Sequence, residues 1–525
     1  MKQNYANQEI IPLNIAGGTK FGRYPKISIE QTYNMMISDG WLVSFPAYSK
    51  VLFNNPNGVG RRIFTSTRWG RMIAVVDNKV YAIASNLSVQ ALDFTLNTNS
   101  GDVFIDENNN YQIAICDQEN IWIYNWQTGV AINTTLDFLP GYITYHDTYF
   151  ISVDASVYQG QTAPLGNSTW RLSDSGNGLT WPDEFTGAIQ TKPDYAKAVV
   201  RIPGRGNQIF LQGNNVTEQW YDVGAPIFPY QKSTTANIDY GLVNPSTIAE
   251  TDNLVAWLGQ NEKSGLAILF STGGEVQQIS TDGINFKLGE VNVPTSSYGF
   301  CFKQYGHVFY VISFYDPSDN FSYAYDFLED KFYTLTDEHF NVYIVKNICF
   351  FNNTYYFVSI RDGNIYELDG RFTTYNYGNG LEFEVPCVRI CPNIRYPDAS
   401  YFSINNITFT VEQGTDLSAK SQPVFVLGSE DSHFYIATQN NQLIGTESVL
   451  NYEAQQGQPA IDLALSKNGG MSFGSYERKT LNPVGDYKNR LVWWQGGAAN
   501  DVVCKFRFVS FGRKVAADGE VIIYR

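Results

Sequence analysis

The chain has 525 residues, a formal net charge of -15 and a pI near 4.8. Single hydrophobic cores rarely grow beyond about 250–300 residues, so this length predicts several domains or a repeat architecture. The negative charge argues against affinity for nucleic-acid phosphates, which depends on Lys and Arg. Aromatic residues reach 15% and charged residues only 17%, a composition that favours β-sheet over surface helices.

The sequence shows no sign of a membrane or metal-binding protein. No apolar run approaches the roughly 18 residues that span a bilayer, and the start, MKQNYANQEIIPLNIAGG, lacks the apolar core of a signal peptide. We therefore expect no membrane insertion by this chain. The six cysteines are scattered without CxxC spacing, so we expect no disulfide framework, no metal site and no cofactor.

The first 60 residues contain Gly, Pro and Asn at short intervals, as in AGGTKFGRYPK and FNNPNGVG. This pattern predicts an extended N-terminal arm over residues 1–60, with few hydrogen-bonded elements.

From residue 61 to 370, one pattern recurs: an apolar run, a polar turn and a second run that often ends in an aromatic residue. Examples are MIAVVDNKVYAIA (72–84), YQIAICDQENIWIYNW (111–126) and GFCFKQYGHVFYVIS (299–313). The units begin roughly 30 to 55 residues apart, the period of four-stranded sheets repeated around an axis. Seven starts predict an all-β fold with a β-propeller of about seven blades. The alternative is a set of stacked sandwiches with similar hairpins.

The spacing changes after Gly370. LEFEVPCVRI (381–390) and VVCKFRFVSFG (502–512) are typical of longer antiparallel strands. We therefore predict a C-terminal β-sandwich over residues 371–525.

Three short motifs resemble the Asp-box turn of sialidases and other β-propellers. The residues are Ser175, Asn177, Gly178 and Trp181 in SGNGLTW, Ser280, Asp282, Gly283 and Phe286 in STDGINF, and Ser466, Asn468, Gly470 and Phe473 in SKNGGMSF. A short polar side chain, a Gly and an aromatic residue folded back over the turn stabilise a hairpin corner. We therefore interpret all three as structural turns rather than parts of an active site.

The sequence offers no catalytic constellation. A sialidase needs an arginine cluster and a tyrosine paired with an acid, but Tyr and Asp are too abundant here to discriminate. The four histidines stand alone, and the sequence contains no HExxH or GxxxxGK[ST] motif. We therefore expect no enzyme activity and assign no catalytic, cofactor or metal residues.

Residues 170–284 resemble the packaged-DNA stabilisation proteins, or tail-hub (nozzle) proteins, of short-tailed bacteriophages. The stretches that carry the resemblance are WRLSDSGNGLTW, PDYAKAVV, IFLQGNNVTEQWYDVGAPIFPYQ and IDYGLVNPSTIAETDNLVAWLGQN. The residues that match the family pattern, in order, are Thr217, Glu218, Trp220, Phe228, Pro229, Gly241, Trp257, Leu258 and Gly259. Outside this region the similarity is looser.

The resemblance implies a structural virion protein, assembled in the host cytoplasm into a homo-oligomeric ring, commonly of six copies. It implies portal or adaptor proteins and distal tail or fibre proteins as partners, and a role in retaining the packaged genome and guiding its ejection. An acidic wall would let DNA slide past without adhering. A glycan-binding or glycan-hydrolysing propeller is the alternative, favoured by a central funnel with convergent Arg and carboxylates. A host-surface recognition module is a third, predicting an exposed aromatic patch on distal loops.

Overall fold

The computed structural model describes residues 8–21, 29–157, 166–251, 253–396, 398–412, 427–429, 432–434, 459–481 and 488–525. Parts of the predicted arm and of the predicted C-terminal domain lie outside these ranges. Within them, all regular elements are strands except the 3₁₀ turn Pro245–Thr247 and the α-helix Asp282–Leu288. The chain forms two compact units, one of residues 49–328 and 342–369, the other of residues 1–48, 329–341 and 370–525.

The first unit is a β-propeller, and its blades are numbered here in chain order. Blades one to five are four-stranded antiparallel sheets, each built from consecutive strands. Blade one consists of Gly60–Ser66, Arg71–Val76, Lys79–Ile83 and Val89–Thr95, and blade two of Phe104–Glu107, Gln112–Cys116, Ile121–Asn125 and Val130–Asn133. Blade three consists of Pro140–His146, Tyr149–Asp154, Thr169–Leu172 and Thr186–Ala188, and blade four of Ala196–Arg201, Gln208–Gly213, Thr217–Asp222 and Tyr230–Ile238. Blade five consists of Ala249–Thr251, Leu254–Asn261, Gly265–Ser271 and Val276–Gln278.

Two further blades complete the series. Blade six contributes Ser297–Gln304, His307–Asp316 and Asp319–Asp326 to this unit. Blade seven consists of Val345–Phe351, Thr354–Ser359 and Ile365–Asp369, and its fourth strand is Ala47–Leu52, which comes from the N-terminal part of the chain. One blade thus joins segments about 300 residues apart, which ties the start of the propeller to its end.

Tight turns define several of the blade hairpins. In blade seven, Phe351 pairs with Thr354, and the two loop residues Asn352 and Asn353 have φ of 49° and 63°. Two positive φ values in a two-residue loop match the right-handed twist of the strands, and Asn tolerates them better than most residues. The same arrangement closes hairpins in blades three and six, at Asp147–Thr148 and Tyr305–Gly306.

Neighbouring blades bury their apolar faces against each other. Blades two to five share one continuous core that includes Phe150, Trp170, Phe210 and Trp257, all fully buried. A second core joins blades one and two, and a third joins blades seven and one, where Ile63 and Met72 pack in the same cluster as Val358. This last core closes the ring, because it connects the final blade to the first.

The second unit contains two sheets, which are antiparallel except where Gln31–Tyr33 pairs in parallel with Lys331–Leu335. The first has the order Met35–Ser38, Trp41–Ser44, Val515–Tyr524, Phe402–Glu412 and Lys488–Ala499, with Gln8–Leu13 also paired to Val515–Tyr524. The second has the order Lys331–Leu335, Gln31–Tyr33, Cys387–Ile390, Asp501–Val509, Ala460–Ser466 and Glu477–Thr480, with Ile394–Arg395 on Asp501–Val509. The hairpins Thr374–Gly378 with Leu381–Glu384, and Leu427–Ser429 with Ser432–Phe434, complete the strands.

Aromatic contacts join the two sheets of this unit. The Phe409 ring of the first sheet lies 4.8 Å from the Phe506 ring of the second, in an edge-to-face arrangement, and Trp493 packs against both. Two sheets facing each other across an aromatic core make a β-sandwich.

The predicted fold class is confirmed: the chain is all-β, with a seven-bladed propeller and a β-sandwich. One detail of the N-terminal segment differs from expectation. Its described part is extended but not poor in hydrogen bonds, since five strands between Gln8 and Leu52 pair within sheets. Asn34, Gly40 and Pro46 lie in the connections between these short strands. Within the described ranges, no helix has the length and apolarity needed to cross a membrane.

Candidate functional site

SGNGLTW forms a turn at the end of a blade-three hairpin. The Asn177 side chain accepts the backbone N–H of Leu179 at 3.1 Å, and the Trp181 indole folds back and donates to the Gly178 carbonyl at 2.9 Å. The left-handed φ lies at Gly176 (69°). Gly178 serves a different need, because a Cβ there would lie 2.6 Å from Ile123 Cδ1 in blade two.

SKNGGMSF forms a similar turn in the sandwich. Ser466 Oγ accepts the backbone N–H of Gly470 at 2.9 Å, and Asn468 Oδ1 accepts that of Ser472 at 3.0 Å. Phe473 lies under the ammonium group of Lys505, 5.3 Å from the ring centroid. The Ser466 and Asn468 bonds are local to the turn, and the Lys505 contact comes from the neighbouring strand Asp501–Val509.

The interpretation of STDGINF as an Asp-box turn is wrong. Asp282–Leu288 is an α-helix, so Asp282 and Gly283 lie in its first turn and Phe286 is exposed on its surface. Thr281 is the N-cap and accepts the backbone N–H of Ile284, while Ser280 accepts that of Ile268 at 3.0 Å. A helix is favoured here because Thr281 accepts a free N–H group of the first turn, and the Asp282 carboxylate complements the helix dipole.

The residues that carried the family resemblance are structural. Glu218 is completely buried and accepts the backbone N–H groups of Gln190 (2.8 Å) and Thr191 (2.5 Å), which lie between blades three and four. The ammonium group of Lys232 lies 3.4 Å from the same carboxylate. Thr217 Oγ donates to the carbonyl of Tyr240 at 2.7 Å. Together these contacts fasten blade four to the loops on either side of it.

The other residues of the pattern supply shape. Trp220 packs edge-to-face against Trp170 at 5.4 Å, and Phe228 packs against both rings, next to Pro229. A Cβ at Gly241 would overlap the Asn214 carbonyl group, and one at Gly259 would lie 2.5 Å from Leu269 Cδ1. Trp257 and Leu258 are fully buried in blade five.

Buried carboxylates hold the loops between blades at several places. Each accepts two consecutive backbone N–H groups of the loop that enters its blade: Asp117 from Asn97 and Thr98, Glu218 from Gln190 and Thr191, and Asp319 from Asn292 and Val293. A carboxylate suits this position because it offers two oxygens and strengthens each bond by its charge. Part of the acidic excess of the chain is therefore structural.

The centre of the propeller encloses a cavity of about 240 Å³. The first strand of every blade contributes to its lining, so the cavity exists only because the ring is closed. Polar side chains from six blades line its wall: Arg62, Asp106, Tyr142, Thr144, Arg201, Glu250 and Asn347. This cavity is the candidate functional site.

One guanidinium engages both carboxylates of the cavity. Arg201 Nη1 lies 3.4 Å from Asp106 Oδ2, and Arg201 Nη2 lies 3.1 Å from Glu250 Oε2. The Asp106 charge, followed by that of Glu250, raises the pKa of Arg201 further above its usual value. Asp106 Oδ2 also accepts the backbone N–H of Tyr145 at 2.7 Å. Both carboxylates thus lie in ion pairs.

The remaining ionisable groups of the wall keep their protons. Burial raises the pKa of the Tyr142 phenol and of the Cys301 thiol, so both are neutral near pH 7. Burial also lowers the pKa of Arg62, whose guanidinium lies 5.7 Å from the Phe104 ring centroid. The wall therefore presents hydrogen-bond donors and closed ion pairs, with no activated nucleophile.

Sequence reasoning missed this cavity. Its polar residues are spread from position 62 to position 347 with no motif in common, and only ring closure brings them together. Among the described residues, no group of three or more His, Cys, Asp or Glu side chains could hold a metal ion.

The closed ring of seven blades around a small central cavity defines the chain as a β-propeller protein. Comparison with family models gives a more specific assignment. The model described as "Bacteriophage P22 Gp10, beta-propeller" matches residues 22–373, about two thirds of the sequence. The chain belongs to this bacteriophage family.

Comparison with solved structures gives only distant similarities. An extracellular domain of the two-component system BT4673 from B. thetaiotaomicron is 11% identical, covers 61% of this chain and 40% of its own, and has a TM-score of 0.40. The RRP9 WD40 repeats are 8% identical, with coverage of 62% and 99% and a TM-score of 0.37. Scores this low carry no argument about function. No curated protein matches the chain.

Proposed function

We propose that this protein is a structural component of a bacteriophage tail, and that several copies form a ring that lines or closes the DNA exit channel. The observation that carries the proposal is the match to a phage propeller family over residues 22–373. In this role the protein retains the packaged genome, guides its ejection, assembles in the host cytoplasm and contacts portal or adaptor proteins and distal tail proteins. It performs no catalysis.

The packing of the propeller supports a wall-building role. Its blades share continuous apolar cores, and buried carboxylates fasten the loops between them. Close-packed interiors of this kind resist deformation. A rigid wall is what a channel requires when DNA moves through it under pressure.

In the proposed ring, DNA passes through the channel that the copies surround, and not through the centre of any one propeller. A central cavity of about 240 Å³ has room for a small molecule but not for a nucleic-acid duplex. The channel wall would then be an outer surface of each copy. With a net charge of -15 per chain, such a wall repels phosphates and lets DNA slide.

The glycan-active alternative predicts a central funnel with convergent Arg and carboxylates. The cavity does contain both, but Arg201 binds Asp106 and Glu250 together. Glycoside hydrolysis needs one carboxyl as acid and a second as base or nucleophile, with space for the sugar between them. Two carboxylates paired to one guanidinium do not supply that arrangement, and the family assignment favours the structural role.

Depleting the protein from the phage that encodes it tests the proposal. Particles assembled without it should package DNA and then lose it, so nuclease-resistant DNA per particle falls. Supplying the chain in trans restores retention, and supplying the Glu119→Gln chain, changed at an exposed side chain, does the same. Particles that keep their DNA and eject it normally without the protein would refute the role.

A further inference from the structure

Arg62 differs from the other cations of the propeller centre because, among the described residues, its Nε has no hydrogen-bonded acceptor. Arg201 is paired with Asp106 and Glu250, and Lys346 lies 3.3 Å from Asp102. Within the described residues, Arg62 Nε is buried and has no hydrogen-bond partner. A buried guanidinium N–H without an acceptor is unfavourable, because it has left water without a replacement partner.

Asn347 places a second donor at the same side of the cavity. Its Oδ1 accepts the backbone N–H of Ile63, the residue after Arg62, at 2.9 Å. This bond fixes the orientation of the amide, so that Nδ2 is the group left to donate. It is the one side-chain hydrogen bond that Asn347 makes within the part of the chain described by the structure.

Tyr142 adds a third donor. Its ring lies 4.6 Å from the Phe104 ring, beside the Arg62 guanidinium. Burial raises the pKa of its phenol, so the hydroxyl keeps its proton at neutral pH. The three donors come from blades one, three and seven, and all three side chains line the cavity.

We propose that the central cavity is a binding site for a small molecule bearing an oxyanion, a carboxylate or a phosphate group, held by Arg62 and Asn347. A guanidinium presents five N–H donors in a planar fork, which matches two oxygens of either group. The volume of about 240 Å³ lies just below the ~300–1,000 Å³ of typical ligand pockets and suits a ligand of a few heavy atoms.

The paired carboxylates limit how tightly such a ligand binds. Asp106 and Glu250 both act on the Arg62 charge, and each repels an incoming anion. Glu250 is the more exposed of the two, with 29% of its side chain accessible against 9% for Asp106. Glu250 is therefore the carboxylate of the wall that solvent reaches more readily. The site is independent of the proposed ring, because all its residues lie in one propeller.

Isothermal titration calorimetry of the full chain with inorganic phosphate, acetate and glucose, each to about 50 mM, tests the site. We expect saturable binding of phosphate, acetate or both, and none of glucose. The stronger of the two anions identifies the ligand as phosphate-like or carboxylate-like. Failure of both anions to bind, or glucose binding that persists in Arg62→Met, overturns the proposal.

Variants locate the bound anion. Arg62→Met keeps the apolar stem and should weaken binding at least tenfold. Asn347→Asp keeps the acceptor for the Ile63 N–H but replaces the donor by a negative oxygen, so it should weaken binding by at least as much even if Arg62→Met fails to fold. Glu250→Gln should tighten binding about two- to fivefold by removing a like charge. Arg68→Met, at an exposed arginine outside the cavity, should leave the affinity unchanged. Wild-type affinity in Asn347→Asp contradicts the assignment.

Discussion

The carboxylate of Glu218 accepts a hydrogen bond from the indole N–H of Trp220 at 3.0 Å. Glu218 lies two positions before Trp220 on the same strand. Its other oxygen holds two backbone N–H groups between blades three and four. One buried side chain therefore connects an aromatic cluster to an interblade loop. These contacts are the structural role of Glu218 and Trp220 in the T-E-x-W stretch, residues 217–220.

Replacing Glu218 by Gln tests that connection. The amide keeps the volume of the side chain but removes its charge and leaves an NH₂ group facing an N–H donor. We expect a loss of about 1.5–3 kcal/mol in the free energy of unfolding, the range for hydrogen bonds to charged groups. Urea unfolding followed by tryptophan fluorescence measures it, with Glu119→Gln as the exposed control. Equal stability of the two variants would contradict the role of Glu218.

Gly241, in the connection between blades four and five, tests a close approach to Asn214 in blade four. In Gly241→Ala, the new Cβ overlaps the backbone of Asn214, which cannot move aside as a flexible side chain can. We expect a loss of about 1–3 kcal/mol from overpacking. Gly273→Ala is the matched control, since its Cβ would meet no atom within 4 Å. A Gly241→Ala protein as stable as Gly273→Ala would show that the approach is not tight.

Thr281 distinguishes the helix from the turn that the sequence suggested. As N-cap of Asp282–Leu288, its hydroxyl accepts the Ile284 N–H. Thr281→Ala should cost about 1 kcal/mol in unfolding free energy, whereas Thr281→Ser, which keeps the hydroxyl, should cost little. Thermal unfolding of the two variants side by side measures the difference. No difference between them would argue against a capped helix.

His146 gives the propeller a pH dependence of defined sign. Its Nδ1 lies 2.7 Å from the Tyr230 hydroxyl, and burial lowers its pKa below the usual 6.5. Well above pH 6.5 the imidazole is neutral in both states and contributes no pH dependence. Below it, the unfolded chain takes up a proton that the folded protein resists, so stability falls as the pH falls.

The comparison of unfolding free energies at about pH 7.5 and 5.5 isolates this contribution. His146→Gln should lose less stability over this interval than the wild-type protein. His339→Gln, at a side chain that is 67% exposed, should behave as the wild type. A wild-type pH response in His146→Gln would contradict the assignment.

The sequence predicts the parts of this molecule that are encoded locally. Apolar runs on either side of turn residues predict hairpins such as 72–84, and the number of these units predicts seven blades. The fourth strand of blade seven, Ala47–Leu52, has no such signal, because its partner lies more than 300 residues away. The STDGINF motif misled for the opposite reason: Thr-Asp-Gly suits both a turn and a helix start, and only the structure shows which one forms.

The cavity could not be predicted for a related reason. Arg62 and Asn347 become neighbours only when blades seven and one meet, and nothing in the residues around either of them indicates a shared wall. The sequence also does not show which Arg and Lys side chains form ion pairs with carboxylates. The pairing of Arg201, and the absence of a hydrogen-bond partner for Arg62 Nε among the described residues, follow from the packing of the closed ring.

The most direct measurement of the proposed role is an averaged electron cryomicroscopy map of the phage tail. A tail ring predicts several copies of a seven-bladed propeller arranged around the axial channel, with DNA passing between copies and an acidic surface facing it. Six copies would have a mass of about 355 kDa, six times 59.1 kDa. A propeller found off the axis in a fibre, missing from the particle, or lining the channel with a positive surface would contradict it.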